Sequence, residues 1–87
     1  MKIRLDGSRM LTREDMYNHI ISQFRLPEDH GRNLDALWDF FTTCAGYKVE
    51  LINSQEMLNS LQGYGCKLLK CLFDADAEND SFTFRLV

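Results

Sequence analysis

The chain carries two hydrophobic periodicities, one typical of strands and one typical of helices. Apolar residues occupy every second position in three short stretches, residues 1–5, 47–52 and 82–86. This period of two predicts half-buried β-strands with polar side chains on the opposite side. Long helical segments separate the three stretches, so the strands need crossover connections and we predict parallel pairing.

Four stretches between the strands have apolar residues at helical spacing. Three of them follow a residue that suits a helix N-cap: Thr12, Asn33 and Asn53. The second of these helices is predicted to end near Gly46, where glycine suits the C-terminal cap. Gly63 and Gly65 are expected to break the third helix, and a fourth is predicted from Cys66 to about Glu78.

The clean alternation in the strands indicates that helices cover mainly one face of the sheet. We therefore predict an α/β fold, a three-stranded parallel sheet with about four helices packed mainly on one face, forming a single domain over residues 1–87. Composition agrees with a globular chain, because 45% of the 87 residues are hydrophobic and 26% are charged.

The charge is acidic and unevenly distributed. The net charge is −3 and the pI about 5.2, which disfavours direct nucleic-acid binding. Acidic residues gather in two segments: Glu28, Asp29, Asp35 and Asp39, and then Asp74, Asp76, Glu78 and Asp80. If folding brings these segments together, the surface suits a basic partner.

Asp35 and Asp39 lie four residues apart on the second predicted helix, away from the apolar stripe that contains Leu34 and Leu37. Like charges at this spacing destabilise a helix by about 0.2–0.5 kcal/mol, so stability alone does not favour the pair. Trp38 lies beside them at the edge of the stripe. It suits either core packing or a rigid apolar contact next to a charged patch.

Other chemistry has weaker support. Acid–base catalysis by Asp35 and Asp39 would need a pKa raised by apolar surroundings, and no flanking residue supplies them. Asp29 and His30 with the two helix acids match no recognised metal spacing, so we predict neither metal nor cofactor, and no enzyme.

The expected compartment is the cytoplasm. No apolar run approaches the length of a membrane span, and the start MKIRLDGSRM lacks the apolar core of a signal peptide. Three cysteines without paired spacing are typical of reduced thiols.

The segment LPEDHGRNLDALWDFFT, residues 26–42, closely resembles the barstar family of intracellular inhibitors of secreted, barnase-type ribonucleases. The run NLDALWD is its specific part, and a weaker likeness covers the whole chain. The resemblance implies a three-stranded parallel sheet with packed helices. It also implies inhibition by the second helix and its preceding loop, which lie across the nuclease active site.

The resemblance implies roles for particular residues. Asp39 enters the phosphate-binding site of the nuclease, Asp35 contacts the basic surface beside it, and Asp74 supplies a further acid, with Asp76 as the alternative. The implied partner-binding set is Asp29, His30, Asn33, Leu34, Asp35, Trp38, Asp39, Thr42, Cys44 and Asp74. The family prototype has tyrosines in place of Asp29 and His30, and a tryptophan in place of Cys44.

Three functional hypotheses follow. The leading one is a cytoplasmic inhibitor, monomeric when free, of a basic extracellular ribonuclease of the barnase type. The second keeps the fold but changes the partner, so that the chain is an immunity or regulatory protein for a different basic protein. The third, an enzyme using the acidic pair, has the least support.

Overall fold

The computed structural model describes residues 1–87 and contains three strands and four α-helices. The strands are β1 (Lys2–Asp6), β2 (Tyr47–Ile52) and β3 (Phe82–Leu86). The helices are α1 (Arg13–Phe24), α2 (Leu34–Thr43), α3 (Ser54–Leu61) and α4 (Gly63–Glu78), and a 3-10 turn (Gly7–Arg9) follows β1.

The sheet has the order β1-β2-β3, and both strand pairs are parallel. In this register Val49 of the central strand pairs with Ile3 on one side and Phe84 on the other. Helices α1 and α2 connect the first two strands, and α3 and α4 connect the last two. The predicted α/β fold with a parallel three-stranded sheet is confirmed.

The two faces of the sheet differ in character. The inner face is formed by buried apolar residues: Ile3, Leu5, Val49, Leu51, Phe82 and Phe84. On the outer face, Lys2, Arg4 and Arg85 surround Glu50, with N–O distances of 3.4 to 3.6 Å. The helices therefore cover one face, as the alternation predicts, while the other face carries charged side chains.

An aromatic cluster lies between α1, α2 and the sheet. Its members are Phe24, Phe40, Phe41, Tyr47 and Phe82, with neighbouring ring centroids 5.2 to 5.9 Å apart. Offset and edge-to-face aromatic pairs contribute about 0.5–1.5 kcal/mol each beyond their buried area. Two members belong to α2, so the cluster fixes that helix on the core.

Helix α4 begins three residues earlier than predicted, at Gly63 instead of Cys66. Gly65 is buried inside its first turn, and a Cβ there would lie 3.3 Å from the Leu58 side chain. The glycine therefore permits the close approach of α3 and α4 and does not break a helix. Periodicity cannot distinguish these two roles of glycine.

Helix α2 is shorter than predicted, because it ends at Thr43 and leaves Ala45 exposed outside the helix. Gly46 adopts a left-handed φ of 79°, and its N–H donates to the carbonyl of Ser81. The chain therefore turns into β2 directly after α2.

Asp6 organises the end of β1. Its Oδ1 accepts hydrogen bonds from the Ser8 N–H and hydroxyl and from Asn53 Nδ2, at 2.7 to 2.9 Å. The bond from Asn53 contributes most to lowering the pKa of Asp6 to about 2, and those from Ser8 add to it. Asn53 has a φ of 54° and makes no side-chain capping bond to α3. It precedes α3 as predicted, but its side chain joins α3 to β1.

Candidate functional site

The start of α2 is fixed by its predicted N-cap. Asn33 has extended backbone angles, and its Oδ1 accepts from the Ala36 N–H at 2.7 Å. The preceding loop turns at Pro27, whose carbonyl accepts from the His30 N–H at 2.9 Å. Capping satisfies one of the orphan N–H groups of the first turn, so the acidic part of the helix begins at a defined position.

The Asn79 side chain also satisfies carbonyl groups at the C-terminal end of this helix. Asn79, just beyond α4, donates through Nδ2 to the carbonyls of Phe41 and Cys44 at 3.0 and 2.7 Å. The Thr42 hydroxyl donates to the Trp38 carbonyl at 2.7 Å, and the Thr43 hydroxyl donates to the Asp39 carbonyl at 2.6 Å. Both ends of α2 are therefore held by specific hydrogen bonds.

Asp35 and Asp39 are exposed and belong to none of the four ion pairs of the chain. We call these two residues the acidic helix face. Three of the ion pairs involve Glu50 on the outer face of the sheet, and the fourth joins Lys70 to Asp74. The acidic helix face therefore presents two charges that no basic group of the chain neutralises.

Apolar side chains border the acidic helix face. Leu37 is fully buried beneath it, while Leu34 and Trp38 are half-buried and pack against the core. The core packing predicted for Trp38 is present, and its partial exposure leaves a contact role open as a prediction. Rigid, partly exposed apolar groups beside charges suit a protein interface.

Asp29 and His30 differ in how the loop before α2 presents them. Asp29 is exposed at the turn. The His30 ring packs edge-to-face on Phe40, with centroids 6.3 Å apart, and its Nε2 is buried without a hydrogen-bond partner. The side chain of Asp29 is therefore displayed, whereas His30 attaches the loop to the aromatic cluster.

Asp74 and Asp76 of α4 have different partners. The Asp74 carboxylate is about half exposed and pairs with Lys70 at 2.8 Å. Asp76 Oδ2 accepts from the Phe84 N–H at 2.8 Å, on the open edge of β3. Unpaired strand edges attract other strands, so Asp76 protects this edge. The Asp74 carboxylate, by contrast, makes no hydrogen bond to the backbone.

Cys44 follows the last residue of α2 and is half-buried. Its Sγ donates to the Phe41 carbonyl at 3.5 Å. Burial raises the pKa of the Cys44 thiol, so the group remains neutral at physiological pH. The residue contributes packing at the end of the helix, without charge.

The structure assembles no group of three or more His, Cys, Asp or Glu side chains that could hold a metal ion. None of its helices combines the length and the apolar character that crossing a membrane requires.

Sequence reasoning did not identify the function of Asn79 or Asp76. The sequence patterns assign no partner to Asn79, and the family resemblance offers Asp76 only as an alternative interface acid. Both act on residues distant in the sequence or on a strand edge, and local patterns carry no signal for such partners.

The fold and the site define an α/β protein that displays an unpaired acidic face on a firmly held helix. The family model described as Barstar (barnase inhibitor) matches residues 1–87, the whole chain. The chain therefore belongs to the barstar family, whose members are inhibitors of barnase-type ribonucleases and not enzymes. Comparison with curated protein sequences gives no match.

Proposed function

We propose that this chain inhibits a basic, secreted ribonuclease of the barnase type by covering its active site with α2 and the loop before it. One observation carries the proposal: Asp35 and Asp39 are exposed and unpaired on a helix held at both ends. Family membership adds the class of partner.

The mechanism is electrostatic and steric. A ribonuclease binds the phosphates of RNA with cationic side chains, and the Asp39 carboxylate stands in for such a phosphate. Asp35, one turn earlier, contacts the basic surface beside the active site. Because the helix is already ordered in the free chain, little conformational entropy is lost when it binds.

The remaining contacts surround the two acids. Asn33, Leu34, Trp38 and Thr42 line the contact on α2. Four further residues lie at the periphery of this contact: Asp29, His30, Cys44 and Asp74. Asp29 contributes its charge, and His30 holds the loop in place. Asp74 is preferred to Asp76 as the third acid, since Asp76 is committed to the edge of β3. The ion pair between Asp74 and Lys70 reduces the binding energy that Asp74 can contribute to the complex.

The proposed compartment follows from the activity of the partner nuclease. A cell that makes a secreted ribonuclease needs an inhibitor where the enzyme is synthesised, so we place this chain in the cytoplasm. It acts as a single domain over residues 1–87 and is a monomer when free.

A second function keeps the fold and changes the partner: an immunity or regulatory protein for a different basic protein. The character of the loop favours it, because an exposed acid at Asp29 and a packed ring at His30 replace two tyrosines of the family prototype. Tyrosine supplies much of the apolar contact in many interfaces.

The decisive experiment substitutes Asp39→Asn, which keeps the side-chain shape and removes the charge. Truncating one partner of a buried interfacial charge pair costs about 2–5 kcal/mol, a range typical of protein complexes that include barnase–barstar. We therefore expect the inhibition constant against a barnase-type nuclease to rise by roughly 30-fold to several thousand-fold. Folding should be unchanged or slightly improved, because helix repulsion is relieved.

The matched control is Glu56→Gln, which removes one exposed negative charge from the first turn of α3. It should leave the inhibition constant nearly unchanged. Equal inhibition by Asp39→Asn and the wild type would refute the phosphate mimicry. A folded wild-type chain that binds no barnase-type nuclease would instead favour the second function.

A further inference from the structure

A cavity of about 490 Å³ lies between α1, α4 and the loop before α2, apart from the acidic helix face. Its lining consists of Arg13, Glu14, Tyr17, Arg32 and Tyr64. The volume is within the roughly 300–1,000 Å³ typical of small-molecule sites. Two arginines and one glutamate give this lining a net positive charge.

The two arginines are free to bind a ligand. Neither Arg13 nor Arg32 belongs to an ion pair of the chain. The Arg13 guanidinium lies 4.0 Å from the centroid of the Tyr64 ring, a cation–π contact that orients it. Arginine presents its N–H groups in a planar fork that matches the oxygens of phosphate or carboxylate.

The hydroxyl groups of the two tyrosines add a hydrogen-bond donor to the cavity. The Tyr17 and Tyr64 hydroxyls form one hydrogen bond with each other, and neither has another partner in the chain. One hydroxyl donates to the other, so the accepting hydroxyl retains a proton without an acceptor. Burial, and then the bond to Tyr64, raise the pKa of Tyr17, so its hydroxyl keeps its proton. The cavity therefore offers two guanidinium groups and a hydroxyl proton as donors, with Glu14 as the one carboxylate in its lining.

We propose that this cavity binds a phosphate oxyanion, held by Arg13, Arg32 and the free tyrosine hydroxyl. The shared chemistry fits inorganic phosphate or the phosphate of a phosphomonoester. Arg32 directly precedes Asn33, the N-cap of α2, so a bound anion would also tie the loop before α2 to α1 and α4. The inference does not depend on the proposed ribonuclease inhibition.

The test is a titration of the full chain with sodium phosphate, followed by amide chemical shifts, with sodium chloride adjusted to constant ionic strength. We expect saturable shifts in residues around the cavity. Arg32→Gln and Arg13→Gln should each raise the dissociation constant by about tenfold, because a charge-assisted pair is lost. Glu14→Gln should lower it by about twofold, since a like charge near the anion is removed.

The matched control is Arg25→Gln, which removes an exposed arginine of the same loop that does not line the cavity. It should bind phosphate like the wild type, and the dispersion of its amide spectrum, like that of the other variants, reports folding. A parallel titration with ribose 5-phosphate distinguishes the sources: tighter binding than inorganic phosphate indicates a phosphomonoester, and equal binding indicates the free ion. Absence of saturable shifts, or equal weakening by Arg25→Gln and Arg32→Gln, would overturn the proposal.

Discussion

Asn79→Ala tests whether the end of α2 is held by side-chain hydrogen bonds. The Asn79 amide donates to the carbonyls of Phe41 and Cys44 and accepts from the Ser81 N–H at 3.0 Å. A hydrogen bond contributes about 0.5–1.5 kcal/mol net, so three of them give roughly 1.5–4.5 kcal/mol. Because water can reach this half-buried position, we expect a loss of about 2–3 kcal/mol, a substantial part of a total of roughly 5–15 kcal/mol.

Urea unfolding, followed by circular dichroism, measures the loss. The slope of the free energy against urea should stay constant while the midpoint falls, since the change acts on stability and not on compactness. Asn59→Ala is the matched control, because Asn59 is exposed on α3 and accepts one bond from Gln55 at 3.0 Å. It should lose at most about 0.5 kcal/mol. If Asn79→Ala loses no more than this control, water serves the carbonyls of α2 equally well and the reasoning is wrong.

Three further predictions concern rates, pH and specificity. If the acidic helix face steers association, stopped-flow mixing should show the on-rate with a barnase-type nuclease falling steeply as salt rises, with a smaller change in the off-rate; a flat on-rate would contradict steering. His19 Nε2 accepts from the Asp6 N–H, and burial lowers the pKa of His19 below its usual value of 6.5. The unfolded chain then binds more protons below that pH, so stability should fall as pH drops through 6.5, and His19→Gln should reduce this dependence in urea melts; an unchanged profile would exclude His19 as the cause. Asp29→Tyr should tighten binding to barnase mainly through a slower off-rate, because tyrosine adds rigid apolar contact at an exposed turn; an unchanged or faster off-rate would show that this position is outside the contact.

Period-two and helical spacing were sufficient to predict the three strands, their parallel pairing and the existence of all four helices. They failed where one residue type serves two structural roles. Gly65 was interpreted as a helix breaker because glycine disfavours helices locally, but tertiary packing of α3 on α4 requires its missing side chain. Asn53 was interpreted as a cap for its own helix, whereas its amide bonds to Asp6, far away in the sequence.

The candidate site was also only partly predictable from local sequence patterns. Charge spacing identified Asp35 and Asp39, and their exposure on one helix follows directly from the period of α2. The orientation of His30 could not be predicted, since its packing on Phe40 depends on where the loop crosses the aromatic cluster. The sequence also could not show that Asp76 bonds to the backbone of β3, because only the position of that strand reveals this partner.

The groups that stabilise helix α2 are different from the two carboxylates that it exposes. Glu50 has three cationic neighbours on the outer face of the sheet, while Asp35 and Asp39 have none. Helix α2 contains no basic residue, so the repulsion between Asp35 and Asp39 is not relieved within the helix. The helix is stabilised instead by uncharged groups: the Asn33 cap, the Asn79 amide and the aromatic cluster beneath it. Because none of these groups neutralises a carboxylate, the fold can be stable while both charges remain available to a partner.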